Sequence, residues 1–262
     1  MRALGLATLA AALALLGCAG AKADDGGPAV RVAAAADLRL AMDELVEAWA
    51  AANPDRRVEV VYGSSGTFFA QISEGAPFDL YFSADAEYPR QIERAGLAEP
   101  GSTRLYAVGQ LAAWVPAASP IDVGGRGLAA LADPAVARVA IANPEHAPYG
   151  RAAVAALRAA GLYDALEPKL VLGENVSQAA QFVASGNADA GIIALSLALG
   201  PPLVDAGRFV IVPLDAYPRI EQGAVVLSTA RDPDAARAFL ELVLGADGRA
   251  ILDRHGFLPP DS

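Results

Sequence analysis

Two adjacent serines stand between two glycines in the segment YGSSGTFFAQI, Tyr62 to Ile72. A glycine-rich turn that leads into a helix leaves backbone N–H groups without partners, and the helix dipole makes that end favourable for anions. Ser64 and Ser65 could therefore bind an anion without the help of any positive side chain. Ser65 could also act as a nucleophile, so other parts of the sequence must separate the two chemistries.

Three other segments place a polar or turn-forming residue where a predicted strand gives way to a helix. They are AAADL from Ala34 to Leu38, NPEHAPYGR from Asn143 to Arg151, and ENVSQ from Glu174 to Gln178. In open α/β sheets, ligands bind beyond the carboxyl ends of the strands, where helix N-termini point inward. Four such junctions, two in each half of the chain, could face one cleft. Alternatively, each is an ordinary connection capped by Ser, Asn or Asp.

The elements that position these junctions alternate between strand and helix. Apolar runs predict strands, and apolar residues at helical spacing, such as Met42, Leu45 and Trp49, predict helices. The predicted strands cover residues 30–35, 58–62, 78–83, 139–142, 170–171, 190–195 and 223–228, and the predicted helices cover 38–52, 68–74, 88–95, 150–160, 177–184 and 233–244. This order predicts an α/β fold with mainly parallel sheets covered by helices. A long extended run, Leu105 to Val115, is expected to bridge two lobes.

The N-terminal sequence predicts export. Residues 1–17 contain one positive residue and then an apolar run that fits the h-region of a secretory signal peptide. Residues 15–18, LLGC, resemble the lipobox of bacterial lipoproteins, in which the signal is cut before a cysteine that is then acylated. Cys18 is the only cysteine, which excludes an internal disulfide and favours lipidation, with residues 18–28 as a tether. A cut near Ala21 or Ala23 would instead release a soluble periplasmic protein.

The charge balance limits the possible partners. The chain has a net charge of −10, and this acidity argues against binding to nucleic acid or to anionic lipid. Because salt screens charge over roughly 8 Å, an anion would have to be held by preorganised local dipoles. A composition of 54% hydrophobic and 19% charged residues predicts a globular protein with an ample core.

An enzymatic function finds little support in the motifs. GSSGT lacks the G-x-S-x-G pattern of a nucleophile elbow because Thr67 stands where the last glycine belongs. A serine hydrolase that uses Ser65 with His146 as its base remains a remote alternative, since only His146 and His255 are available. No Walker loop, zinc motif or cysteine cluster occurs, so we predict a protein that is not an enzyme and has no cofactor.

The order of several segments resembles the periplasmic molybdate-binding proteins of ABC importers. These segments include AAADL, YGSSGTFFAQI, GAPFDLYFSAD, IANPEHAPYG, ENVSQAAQFVASGNADAGIIALS and RHGFLPP, and the likeness extends from about Val30 to Pro259. The resemblance implies a two-lobed type II periplasmic binding protein, with a ligand cleft between two mainly parallel sheets flanked by helices. It places lobe 1 at residues 29–105 plus 222–262 and lobe 2 at 106–221.

That family grips a tetrahedral oxyanion with hydroxyls and backbone amides from both lobes. Carried onto this sequence, the resemblance assigns oxyanion binding to Ala36, Asp37, Ser64, Ser65, Tyr149 and Val176. No residue is expected to ligate the metal directly. One branch of the family adds a tyrosine at the position of Ala194, so the Tyr149 hydroxyl would be the replacement donor here. For each residue a structural role remains open: helix capping for the serines, rim packing for Tyr149 and core packing for Val176.

Asp37 departs from the serine or asparagine found at this position in the family. An ionised carboxylate accepts hydrogen bonds and cannot donate them, and two unit charges 4 Å apart repel by about 4 kcal/mol at an effective dielectric of 20. One interpretation turns the carboxylate onto helix N–H groups as an N-cap. The other lets Asp37 accept a proton from the ligand, which would favour phosphate or arsenate.

The function implied by the resemblance is capture of molybdate, with tungstate as a near-isostere, and delivery to an ABC permease in the inner membrane. The alternative ligand is a protonated tetrahedral oxyanion such as phosphate or arsenate. We expect a monomer on the periplasmic side of the cell envelope that contacts the membrane only through a lipid on Cys18.

Overall fold

The computed structural model describes residues 29–261. Two five-stranded sheets, each flanked by helices, form two lobes. The predicted signal peptide, the lipidation of Cys18 and the tether lie outside the described residues.

Ten strands and eleven α-helices are found in the described part of the chain. The strands are β1 Val30–Ala35, β2 Val58–Gly63, β3 Leu80–Ser83, β4 Arg104–Gly109, β5 Leu111–Pro116, β6 Val139–Ala142, β7 Leu170–Gly173, β8 Ala190–Ala194, β9 Gly207–Ile211 and β10 Ile220–Val226. The helices are α1 Arg39–Ala52, α2 Ser65–Ser73, α3 Glu87–Arg94, α4 Val123–Arg126, α5 Pro148–Ala159, α6 Tyr163–Leu166, α7 Val176–Ala184, α8 Leu195–Ala198, α9 Leu203–Ala206, α10 Pro233–Leu244 and α11 Ala246–Arg254. A 3₁₀ turn, Ala36–Leu38, joins β1 to α1.

Each sheet has four strands that run in one direction and one that runs against them. The first sheet has the order β2-β1-β3-β10-β4, and β10 is antiparallel to both of its neighbours, so β4 runs the same way as β3. The second sheet has the order β7-β6-β8-β5-β9, and β5 takes the reversed position. The predicted fold class of mainly parallel sheets is therefore confirmed.

The chain crosses between the lobes twice, and both crossings lie at residues that differ from the predicted lobe boundaries. β4 ends at Gly109 and β5 begins at Leu111, so the first crossing is at Gln110 and not between residues 105 and 106. The second crossing lies between β9 and β10 and ends at Ile220, before the predicted residue 222. We define lobe 1 as residues 29–109 plus 220–261 and lobe 2 as residues 111–211.

The two lobes have separate apolar layers. In lobe 1, α1 buries Met42, Leu45 and Trp49, and the Trp49 ring meets the edge of Phe239 from α10 at a centroid distance of 5.6 Å. In lobe 2, Trp114 is buried on β5, and its indole N–H donates to the Leu203 carbonyl at 3.1 Å. Such buried aromatic pairs and satisfied polar tips fix the sheets and, with them, the loops at the strand ends.

The carboxyl ends of four strands lead into helices at the cleft. β1 leads into the 3₁₀ turn, β2 into α2, β6 into α5 and β7 into α7. The helices after β2, β6 and β7 begin three, two and one residues earlier than the sequence pattern predicted. α5 approaches β6 so closely that a Cβ at Gly150 would lie 2.2 Å from the Ala142 carbonyl oxygen, and this position therefore requires glycine.

Candidate functional site

The four junctions meet at one cavity between the lobes, as the shared-cleft interpretation predicted. Its lining is formed by Ala35, Ala36, Asp37, Gly63, Ser64, Ser65, Ala84, Ala147, Pro148, Tyr149, Asn175 and Val176. All six residues assigned to the site by sequence are among them. The cavity is small, with an empty volume of about 200 Å³. None of these lining residues is Lys, Arg or His.

Ser65 is the first residue of α2 and is almost fully buried. Its Oγ accepts a hydrogen bond from the Ala84 amide at 2.9 Å, and its carbonyl accepts one from the Tyr81 hydroxyl at 2.6 Å. The first contact uses a lone pair of the hydroxyl and leaves the O–H hydrogen available to donate. No side chain caps α2 through a hydrogen bond, so Ser65 is not a helix cap, and it lines the cavity.

Ser64 also lines the cavity, but its hydroxyl hydrogen is used elsewhere. Its Oγ donates to the His146 carbonyl oxygen at 2.6 Å, and the Gly66 amide donates to the same oxygen at 2.9 Å. Ser64 and Gly66 belong to lobe 1, whereas His146 belongs to lobe 2. The Ser64 side chain therefore joins the lobes and has no second hydrogen with which to bind an anion.

Ala36 and Val176 line the cavity from opposite lobes. Val176 is the first residue of α7, and the side chain of Asn175 before it accepts from the Gln178 amide at 3.0 Å. The hydroxyl of Ser177 donates to the Ala36 carbonyl at 2.8 Å, which ties the start of α7 to lobe 1. Helices α2, α5 and α7 begin at residues that line the cavity, so their N-termini bring partial positive charge to it, although the Gly66 and Gln178 amides already donate to His146 and Asn175.

Asp37 lies inside the 3₁₀ turn and is not an N-cap residue, although the backbone N–H groups of Asp37 and Leu38 help to lower the pKa of its carboxyl. Neither the 3₁₀ turn nor α1 has a side-chain cap. Oδ2 of Asp37 accepts from the Gln222 Nε2 at 2.6 Å, whereas Oδ1 is buried without a hydrogen-bond partner. Burial raises the pKa of this carboxyl from 3.8 to about 6, against hydrogen bonds from Gln222 and Tyr149 that lower it.

Tyr149 is buried and does not merely pack at the rim. Its hydroxyl accepts from Gln222 Nε2 at 3.2 Å, while the Oε1 of Gln222 accepts from the Tyr106 hydroxyl at 2.5 Å. Burial raises the pKa of Tyr149 and that of Tyr106 well above their usual range, so both phenols remain neutral. Neither Gln222 nor Tyr106 was predicted from the sequence. A polar glutamine within the largely buried strand β10 is a signal that could have identified Gln222.

Further contacts across the cleft hold the lobes together. The hydroxyl of Ser196 donates to the Asp37 carbonyl at 2.8 Å, and Arg151 of lobe 2 forms an ion pair with Asp85 of lobe 1 at 2.7 Å. Arg151 also donates to the Tyr88 hydroxyl at 3.3 Å. With the bonds from Ser64 and Ser177, these contacts define a closed arrangement of the two lobes.

The geometry gives no catalytic dyad between Ser65 and His146. The His146 ring nitrogen Nε2 contacts the Glu174 carbonyl oxygen at 2.9 Å, and the Ser65 hydroxyl contacts the Ala84 amide. A general base must be within hydrogen-bond reach of the proton that it abstracts, and no hydrogen bond joins these two side chains. His146 contributes its backbone carbonyl to the cleft, where that oxygen accepts hydrogen bonds from Ser64 and Gly66.

Residues 29–261 contain neither a candidate metal centre nor a candidate membrane span. Within that range, no group of three or more His, Cys, Asp or Glu side chains could hold a metal ion. No helix of the same residues combines the length and the apolar character needed to cross a membrane.

Comparison with known proteins identifies the family to which the chain belongs. Residues 30–258 match the family described as bacterial extracellular solute-binding protein. The molybdate-binding protein ModA of Rhodobacter capsulatus is 40% identical over 77% of each chain, and that of Azotobacter vinelandii is 37% identical over 93% of each. The solved periplasmic molybdate-binding protein of Azotobacter vinelandii superposes with a TM-score of 0.82 at 33% identity, covering 88% of this chain and 99% of that one. The chain therefore belongs to the bacterial extracellular solute-binding proteins.

Proposed function

We propose that the protein is an extracytoplasmic receptor that captures molybdate and delivers it to an ABC permease. The similar proteins of Rhodobacter capsulatus and Azotobacter vinelandii are molybdate-binding proteins. The observation that carries the proposal is the convergence of Ser65, Tyr149 and the start of α7 on one cavity between the lobes. These residues come from three separate strand-to-helix junctions, so their meeting is not a consequence of local sequence.

The donors at the cavity suit a small dianion. Three helix N-termini and the Ser65 hydroxyl supply hydrogen-bond donors, while no cationic side chain lines the space. Hydrogen bonds to charged groups contribute about 1.5 to 3 kcal/mol each, so a few preorganised donors suffice for tight binding. The net negative charge of the chain does not prevent the binding of an anion, because salt screens charge repulsion beyond roughly 8 Å.

Closure of the lobes supplies the signal to a permease. Donors from lobe 1 and lobe 2 can reach the same oxyanion only when the cleft is closed, so the ligand stabilises the closed form. The contacts from Ser64 to His146 and from Arg151 to Asp85 form in that state. The permease would recognise the closed pair of lobes and accept the oxyanion as they open.

Several finer points belong to the same proposal. Tungstate, a near-isostere of molybdate, binds at the same donors. The protein works as a monomer without a resident cofactor and does not catalyse a reaction. It acts on the periplasmic side of the envelope, where a lipid on Cys18 anchors it after removal of residues 1–17.

Titration calorimetry with molybdate, tungstate, sulfate and phosphate on the purified protein tests the proposal. We expect one molybdate or tungstate per chain and much weaker binding of sulfate and phosphate. A ligand at a hundred times its Kd should raise the free energy of unfolding by about 2.7 kcal/mol, which a thermal shift detects. Tight binding of phosphate without binding of molybdate would overturn the assignment, and turnover of acyl or phosphoryl esters would point to a hydrolase instead.

A further inference from the structure

One oxygen atom of the cavity has no hydrogen-bond partner. Asp37 is 1% exposed and lines the cavity, and its Oδ1 is the buried side-chain atom without a partner among residues 29–261. Oδ2 of the same carboxyl accepts from Gln222 Nε2 at 2.6 Å. A buried polar atom that is left unpaired beside a ligand cavity indicates that the ligand, or a proton, completes its bonding.

A charged Asp37 is incompatible with a dianion in this space. A carboxylate oxygen cannot donate a hydrogen bond. At contact distance, the repulsion between its charge and an oxyanion exceeds the free energy that one charge-assisted hydrogen bond contributes. No Lys, Arg or His among the cavity-lining residues could offset that repulsion. The site therefore binds a dianion well only when the Asp37 carboxyl is neutral.

The groups packed around Asp37 allow it to become neutral. The titratable side chains that face it are the phenols of Tyr149 on α5 and Tyr106 on β4, and both stay uncharged because burial raises their pKa values. The segments that pack on the Asp37 backbone from lobe 2 are α7 and α8, whose sequences VSQAAQFVA and LSLA contain no charged residue.

Charged residues on three other neighbouring elements contact groups other than Asp37. On β10, Glu221 lies 4.0 Å from Arg90 and 3.7 Å from Arg219, measured between charged atoms. On α5, Arg151 pairs with Asp85. On α1, Arg39 is exposed and lies over the Tyr62 ring. No ion pair neutralises the Asp37 carboxyl, so only a proton can do so.

We propose that binding of the oxyanion is coupled to the uptake of one proton by Asp37, whose Oδ1–H then donates a hydrogen bond to the bound ligand. The proton comes from solvent and settles on Oδ1, because Oδ2 already accepts from Gln222. This inference rests on the proposed function and adds to it a specificity rule. An oxyanion without a proton of its own benefits from the new donor, whereas one that carries a proton competes with it.

The coupling predicts a definite dependence of affinity on pH. The pKa of Asp37 without ligand is about 6, and a bound dianion raises it further. Above pH about 6 the Kd for molybdate should rise tenfold for each unit of pH, and below that it should level off. The dependence has this sign because the ligand-bound protein holds one proton more than the free protein.

Calorimetry with molybdate in pairs of buffers of different ionisation enthalpy measures the proton count directly. At pH about 8 the unmodified protein should take up close to one proton per bound molybdate, falling toward zero at pH about 5. In Asp37→Asn, the amide oxygen can accept from Gln222 while the amide nitrogen donates into the cavity. That variant should bind molybdate without proton uptake, with a Kd that changes little with pH and is lower than that of the unmodified protein at pH about 8.

The control is Glu47→Gln, which removes one negative charge from an exposed position of α1 away from the cavity. It should keep the pH dependence of the unmodified protein. Molybdate binding that is independent of pH and takes up no proton in the unmodified protein would overturn this inference and leave the proposed function intact. Absence of molybdate binding at every pH, in the unmodified protein and in Asp37→Asn, would overturn both.

Discussion

Replacing Ser65 by alanine should separate ligand binding from lobe closure. The Ser65 hydroxyl accepts from the Ala84 amide and has one hydrogen left for the oxyanion. Loss of one hydrogen bond to a charged group costs about 1.5 to 3 kcal/mol, which raises the Kd for molybdate about tenfold to a hundredfold. The Ala84 amide also loses its acceptor, so the free energy of unfolding should fall by about 1 to 3 kcal/mol.

The neighbouring variant Ser64→Ala is the matched control. It removes the same atom from the adjacent residue, but that hydroxyl donates to the His146 carbonyl, which keeps a second bond from the Gly66 amide. A neutral hydrogen bond contributes about 1 kcal/mol, so the Kd should rise only about fivefold. Titration calorimetry on both variants decides the matter. Equal losses in the two variants, or a Ser65→Ala protein with unchanged affinity, would refute the assignment of Ser65 as the donor.

Two further predictions concern charge at the cleft. Because the pKa of Asp37 in the folded protein is about 6, above its ordinary 3.8, the stability that its protonated form contributes is complete below pH 3.8 and is lost as the pH rises through 6. Without ligand, Asp37→Asn should therefore gain about 2.5 kcal/mol of unfolding free energy relative to the unmodified protein between pH about 4 and 7.5, measured by urea unfolding; a constant difference would contradict this. Arg151→Met removes the ion pair with Asp85, whose side chains are 39% and 33% exposed, so the Kd for molybdate should rise no more than about fivefold. That rise should shrink in high salt when binding is titrated, and an effect that is independent of salt would argue against an electrostatic role.

The sequence was most informative where one local pattern decides an element. Strand Val30–Ala35 and helix Pro233–Leu244 have the predicted bounds because each combines a clear apolar pattern with a clear stop. The run from Leu105 to Val115 was predicted to bridge the two lobes, and it does so, but the sequence did not locate the crossing at Gln110. Both halves are buried, so hydrophobicity does not change at the crossing, and only strand pairing reveals it. Strand β9 was missed because it lies at the edge of its sheet and is half-exposed.

The residues of the site likewise fall into those that a local sequence pattern predicts and those that depend on distant contacts. The junctions that contain Ser65 and Val176 could be predicted because strand-to-helix turns with small or capping residues are visible locally, and the resemblance to the family then singled out these residues. Gln222 could not, because its role depends on contacts with Asp37 and Tyr106, which are far away in the chain. The contact between the Asp37 carboxyl and Gln222 was missed for that reason: capping is a local preference, and the hydrogen bond from Gln222 is a tertiary one.

A crystal structure of the protein with molybdate, with the metal located by its anomalous scattering, tests the central claim most directly. We predict one molybdenum peak between the lobes, with oxyanion oxygens within hydrogen-bond distance of the Ser65 hydroxyl and the Val176 amide and with no Lys or Arg side chain in contact. A peak at the arginines outside this cavity, such as Arg90 or Arg151, would contradict the claim that uncharged donors hold the dianion.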